Sequence, residues 1–226
     1  RKMPHTIQMQ SGESFDSLWV RCGGYYECPK DPQGNRLGPL VSYAGTYDGA
    51  GEKHYVGDDY YNFALVEEHP NVLDHFAGNL GAQLAAYQVT AVVGAPLGGI
   101  GLAQALSRVL RCRFLYAEKE ILELGRWDQK EKSKLVWGRH TVGAGDLVVI
   151  VEDVCNNFST TKKLWNLIAS CSASTMAVVC ALNRSWERDF VVLRNSFELP
   201  ILSLPVTSVI YKPLLQYCWD DPRVLS

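Results

Sequence analysis

The chain has 226 residues, 47% hydrophobic and 20% charged, a globular make-up large enough to bury a core in one domain or a domain with a small appendage. A formal net charge of -2 provides no broad positive field, which argues against a nucleic-acid partner, so any phosphate has to be gripped locally. No apolar run is long and uncharged enough to span a membrane.

In chain order, the first 14 residues, RKMPHTIQMQSGES, carry basic residues without an apolar segment and do not read as a secretory signal. Residues 1–65 are rich in Gly, Tyr, Pro and Asp, with short strand-like pieces such as 40–43 and no strong helical period. They read as a hood over a core occupying 66–226. From Pro70 a helix is predicted: Val72, Leu73, Phe76, Leu80, Leu84 and Tyr87 recur at helical spacing, and proline suits a first turn.

Strand and helix then alternate. Strands are predicted at 90–93, 113–116, 147–151, 174–182 and 201–204, and helices at 100–110 and 161–170. Continuous β-branched runs between helices predict a parallel sheet covered on both faces. Such sheets bind ligands beyond the carboxyl ends of their strands, so the loops after Val93, Tyr116, Val151 and Leu182 should converge. The charged stretch 118–134, EKEILELGRWDQKEKSK, is too polar for core and reads as a solvated helix or a mobile loop. Seven scattered cysteines (Cys22, Cys28, Cys112, Cys155, Cys171, Cys180, Cys218) form no CxxC pair, which points to a reducing cytoplasm.

The stretch VVIVEDVCNNFSTT, 148–161, carries the chemistry. Glu152 and Asp153 are expected where the strand ends, projecting from the rim of the sheet. Neighbouring carboxylates repel unless hydroxyls or a cation share them. Asn156, Asn157, Ser159, Thr160 and Thr161 then offer amide and hydroxyl donors at a helix N-terminus, where backbone amides favour an anion. A pair of acids for a diol beside a cradle for an anion describes a ribose 5-phosphate site. The alternative is an ordinary turn with solvated acids and a Ser159 or Thr160 cap.

This stretch resembles the 5-phosphoribosyl-pyrophosphate (PRPP) signature of type I phosphoribosyltransferases, closest to the orotate phosphoribosyltransferase-like members. The resemblance implies an α/β fold with a central parallel sheet flanked by helices and an N-terminal hood. It assigns Glu152 and Asp153 to the ribose hydroxyls, and Asn156, Asn157, Phe158, Ser159 and Thr160 to the 5-phosphate. The family usually has small residues where Asn156-Asn157-Phe158 stands, and Phe158 occupies a position where glycine is common.

A second stretch, VVGAPLGGIGLAQAL (92–106), lacks the last glycine of a dinucleotide-binding turn and resembles instead the family's pyrophosphate loop. That implies backbone amides of Ala95, Pro96, Leu97, Gly98 and Gly99 around pyrophosphate, with little side-chain bulk in the way. Lys119 matches a lysine that joins the acids as a catalytic group, while Glu118 stands where the family usually has arginine. Arg126, Lys130, Lys132 and Lys134 are lid cations by composition alone, the alternative being a solvated charged hairpin. Arg184, just after a strand, corresponds to an arginine contacting the base.

The activity implied is transfer of ribose 5-phosphate from PRPP to a nitrogenous base, orotate or another pyrimidine or purine, releasing pyrophosphate. Mg2+ would be held mainly through substrate oxygens, with no protein metal site, and the protein would act as a homodimer. A PRPP- or nucleotide-sensing regulator with the same fold and weak turnover is the second reading, favoured by the Asn-Asn-Phe loop.

Overall fold

The computed structural model describes residues 6–47, 53–123, 132–193 and 197–204. The hood begins with α1 (Phe15–Arg21), started by Ser14, whose hydroxyl accepts from the Ser17 amide. Short strands follow: β1 (Tyr25–Glu27), β2 (Val41–Tyr47), β3 (Lys53–Gly57) and β4 (Asp59–Tyr61), with β1 antiparallel to β4 and β2 to β3. Helix α1 corrects the expectation that this region has no helical period. Phe15, Leu18, Trp19 and Cys22, spaced i, i+3, i+4 and i+7, are all buried.

Helices α2 (Phe63–Glu67) and α3 (Pro70–Gln83) lead into the core, with Pro70 in the first turn of α3 as predicted. Then come β5 (Ala91–Gly94), α4 (Gly99–Leu110), β6 (Arg113–Tyr116), β7 (Glu118–Glu123), β8 (Lys132–Val136), β9 (Leu147–Cys155), α5 (Ser159–Ser170), β10 (Ser174–Asn183), β11 (Phe190–Val192) and β12 (Glu198–Ser203). The main sheet has the order β11-β12-β10-β9-β5-β6, parallel throughout except for the edge strand β11. The fold is therefore the α/β arrangement expected.

The charged stretch after β6 is neither helix nor loop over its described residues. It is an antiparallel hairpin, β7 with β8, that lies outside the main sheet. Strand β7 is exposed beyond Glu118 and Lys134 pairs with Glu120 at 2.8 Å, while Leu135 of β8 packs against the core on the α5 face. Arg126 and Lys130, and the side chain of Lys132, lie outside the described residues, as do Cys218 and the tail beyond Leu204.

Period-two alternation divides the core between the two faces of the sheet. Val92, Val149, Val151, Val179 and Ala181 point to the side packed with Trp19, Phe63, Phe76, Leu102 and Leu106. Val93, Val148, Ile150, Val178 and Cys180 point to the side packed with Leu164 and Ile168 of α5. The hood is sewn to the first side, because Trp19 packs against Tyr61, Phe63 and Phe76 with ring centroids 5.4, 5.5 and 6.2 Å away. Segments 1–65 and 66–226 thus share one core, and α2 straddles the boundary between them.

Candidate active site

The parallel strands in chain order, β5, β6, β9, β10 and β12, lie in the spatial order 2-1-3-4-5, which reverses direction between β5 and β9. Ligands of open α/β sheets bind in the crevice at such a switch point, beyond the strand ends. The ends are staggered there. β5 stops at Gly94, opposite Val151, whereas β9 continues to Cys155 with β10 still paired to it as far as Asn183. This corrects the expectation that β9 ends at Val151. Glu152 and Asp153 lie within the strand, supported by β10 on one side only.

Because they lie in a strand, the two acids point to opposite faces. Glu152 goes to the α5 side, where its Oε1 accepts from the Thr161 hydroxyl at 2.7 Å. Asp153 goes to the α4 side and rests on Gly98, where an added Cβ would stand 2.1 Å from its Oδ2. Neither acid takes part in an ion pair among the described residues. Burial pushes the Glu152 carboxyl up to about 7, partly offset by Thr161 and reinforced by the nearby Asp153. Burial also raises Asp153, against the lowering effect of the Val154 amide.

The loop after β9 reaches α5 through Phe158, whose φ of 55° and ψ of 23° are left-handed. A non-glycine residue there costs about 1–2 kcal/mol. The ring, 3% exposed, is buried among the core residues on the α5 face, and that burial offsets the cost by roughly 1.5–3 kcal/mol. The sequence departure at this glycine position is thus solved by tucking the side chain under the loop. Asn156, Asn157 and Ser159 remain exposed, with the Asn157 Oδ1 accepting from the Ser159 amide at 3.1 Å.

In the loop after β5 fewer amides are available than the sequence implied. The Ala95 amide donates to the Val151 carbonyl at 2.8 Å and the Gly99 amide to the Ala95 carbonyl at 2.9 Å, while Pro96 has none. Leu97 and Gly98 are left as possible anion donors, and Leu97 is 85% exposed. The peptide bond between Pro96 and Leu97 is cis. Gly99 sits so tightly against β9 that a Cβ would lie 2.2 Å from the Val151 carbonyl oxygen. Lys119 is exposed on β7, opposite Leu135, and is not part of the cavity wall described next.

A cavity of about 770 Å3 opens between the end of β9 with its loop and the hood, and none of the residues Ala95, Pro96, Leu97, Gly98 and Gly99 is in its wall. Glu152, Asp153 and every residue from Asn156 to Thr160 line it, as does Arg184, so the predicted ribose, phosphate and base residues share one space. The opposite wall belongs to the hood: Ser42, Tyr43, His54, Tyr55, Tyr60 and Tyr61. Arg184 is buried and bonds Asp59 Oδ1 at 2.5 Å, with its guanidinium 4.8 Å from the centre of the Tyr61 ring. Tyr43 donates its hydroxyl to the Asp59 backbone oxygen at 2.7 Å.

The hood residues of this wall were missed in the sequence. The available signal was GDDYYN, 57–62, in which an acid and a tyrosine two apart, Asp59 and Tyr61, share one face of a short strand and are both buried. As for metal, among the described residues no group of three or more His, Cys, Asp or Glu converges. The hard carboxylate oxygens of Glu152 and Asp153 nonetheless fit a Mg2+ that takes most of its ligands from substrate and water. No described helix is long and apolar enough to cross a membrane.

Switch-point crevice, acid pair and the polar loop 156–160 together define an open-sheet α/β protein with one acid-lined cavity at the carboxyl ends of its strands. No protein-family model matches the chain. Among curated proteins, it is similar to the orotate phosphoribosyltransferase of Thermotoga maritima, 31% identical over 150 residues, which cover 65% of this chain and 73% of that protein. It is also similar to those of Caldanaerobacter subterraneus subsp. tengcongensis (28% over 130 residues, 57% of this chain) and Carboxydothermus hydrogenoformans (29% over 136 residues, 59% of this chain). The matched regions span 62% and 66% of the length of these last two relatives. The chain belongs to the type I phosphoribosyltransferase family. Among solved structures, the orotate phosphoribosyltransferase of Aeropyrum pernix matches with a TM-score of 0.52 at 18% identity, over 75% of this chain and 81% of that one. The adenine phosphoribosyltransferase of Trypanosoma brucei matches with 0.53 at 14% identity, over 87% and 81%. These likenesses show the same fold.

Proposed function

We propose that the protein transfers the 5-phosphoribosyl group of PRPP to a ring nitrogen of a nitrogenous base. The bond from ribose C1 to the pyrophosphate oxygen breaks, a C1–N bond forms, and the base gives up its ring proton. The observation that carries this reading is the single cavity lined by both acids, the 156–160 loop and Arg184. The relatives' shared name, orotate phosphoribosyltransferase, makes orotate one acceptor to be tried.

In this reading Glu152 and Asp153 receive the ribose hydroxyls, and the exposed polar groups of 156–160 at the start of α5 receive the 5-phosphate. The amides of Leu97 and Gly98, next to Asp153, face the pyrophosphate, and Lys119 joins them when the hairpin closes. Positive character develops on C1 as pyrophosphate leaves, as in other oxocarbenium-like glycosyl reactions. The protein's contribution is to align the reactants and place fixed dipoles where charge appears. Glu152 and Asp153 would help to hold Mg2+, which would supply charge neutralisation on the leaving group. We also assign a homodimeric, cytoplasmic protein, in keeping with the scattered cysteines, of which the six described are unbridged.

The test is calorimetric titration of PRPP with Mg2+ into wild type and Asp153→Asn, alongside pyrophosphate release with a panel of bases. Wild type should bind and release pyrophosphate, and the variant should bind at least tenfold more weakly. Equal affinity would remove Asp153 from the ribose site. Binding without release with any base would make the protein a PRPP sensor.

A further inference from the structure

We propose that the acceptor is an uncharged aromatic base, not one bearing a carboxylate, and that Asp59 sets this preference. The inference rests on the phosphoribosyl reading of the cavity and concerns its base end.

The argument is a count of charges in one wall. Among the described residues lining the cavity, Arg184 is the cation, set against the carboxylates of Glu152 and Asp153. An anionic base would need that cation. Arg184 is already committed: its side chain is 3% exposed, its Nη2 bonds Asp59 Oδ1 at 2.5 Å, and its guanidinium lies over the Tyr61 ring. Asp59 is itself held in place, since the Tyr43 hydroxyl reaches both its backbone oxygen at 2.7 Å and its Oδ1 at 3.2 Å. The pair comes from two distant segments, β4 and the end of β10, so packing of the hood onto the sheet is what closes it.

A base carboxylate entering this wall would have to draw Arg184 away and leave Asp59 buried without its counter-charge, or else remain unpaired beside it. Either outcome disfavours binding. A neutral ring meets no such obstacle. Tyr55 and Tyr60 in the cavity wall offer aromatic surface to a flat heterocycle, and burial raises the Tyr43 and Tyr61 hydroxyls, so neither adds a negative charge to the wall. Arg184 then keeps the hood's Asp59 in register and presents a wall whose charge is already balanced.

The experiment compares nucleotides that share the sugar phosphate and differ at the base. Ribose 5-phosphate, uridine 5′-monophosphate, adenosine 5′-monophosphate and orotidine 5′-monophosphate are titrated into the wild-type chain by calorimetry. The uridine and orotidine nucleotides differ by one carboxylate. Expected is binding of the uridine or the adenosine nucleotide at least tenfold tighter than the orotidine nucleotide. Equal or tighter binding of the orotidine nucleotide overturns the proposal. If ribose 5-phosphate binds but no nucleotide does, the base assignment fails and the sugar-phosphate reading stands. If ribose 5-phosphate does not bind either, both fail. In Asp59→Asn the preference should move at least tenfold towards the orotidine nucleotide. An unchanged ratio in a variant with a native circular dichroism spectrum would take the preference away from Asp59, while the wild-type comparison needs no variant to fold.

Discussion

The loops after β5 and β9 leave neighbouring strand ends by opposite means, and only the second lines the cavity. The first obtains close approach by having no side chain: Gly99 is pressed on the Val151 carbonyl and Gly98 receives the Asp153 carboxylate. The second carries a phenylalanine at a left-handed position and still opens towards the cavity, because the ring goes down into the core and only the backbone and small polar groups remain above. A tight turn can therefore be specified by absence or by burial. The second solution couples the loop to the stability of the α5 face in a way the first does not.

The sharpest way to break this comparison is at Phe158. Replacement by alanine keeps the left-handed strain and loses the buried ring, so a loss of about 3–5 kcal/mol is expected in urea unfolding. Phe158→Gly should be milder than the alanine variant by about 1 kcal/mol, since glycine adopts this backbone freely. Equal losses would mean the strain is not felt. Gly99→Ala comes next, at about 3 kcal/mol, because the atom it would meet is backbone and cannot swing aside.

A smaller effect separates Glu152 from both loops. Its carboxyl titrates near 7 in the folded protein against an ordinary 4.5, so between these values the folded chain holds a proton that the unfolded chain has released. Stability due to this group is full below pH 4.5 and is lost as pH rises to about 7, by about 2–3 kcal/mol. Glu152→Gln should therefore gain on wild type between pH 5 and pH 8 when both are melted in urea. A difference that stays constant with pH would show that the carboxyl titrates normally.

Much of this architecture can be read in the chain itself. The β5–α4–β6 and β9–α5–β10 units announce themselves by apolar runs punctuated by glycine or by polar residues, and each was placed to within a few residues. The extent of β9 was not, because Glu152-Asp153 looks like a strand stop when its partner is unknown; pairing to β10 carries it onward. Helix α1 was overlooked since its buried stripe occupies only two turns among polar residues. The β7–β8 hairpin gives no period-two signal because its described residues beyond Glu118 in β7 bury nothing. Local pattern singled out both acids and the 156–160 loop, the family resemblance singled out Arg184, and the fold brings them to one cavity, whereas Asp59 could not be linked to Arg184, its partner 125 positions away, without the fold.

The staggered end of the sheet has a further consequence. With β9 outrunning β5, the chain builds a terrace footed on buried strands, while the described roof above it is made of short, separately paired ribbons. On the phosphoribosyl reading proposed above, the chemistry shared by many acceptors would rest on the terrace and the choice among acceptors on the ribbons, so drift in the hood would retune what is received without disturbing how the sugar is seated.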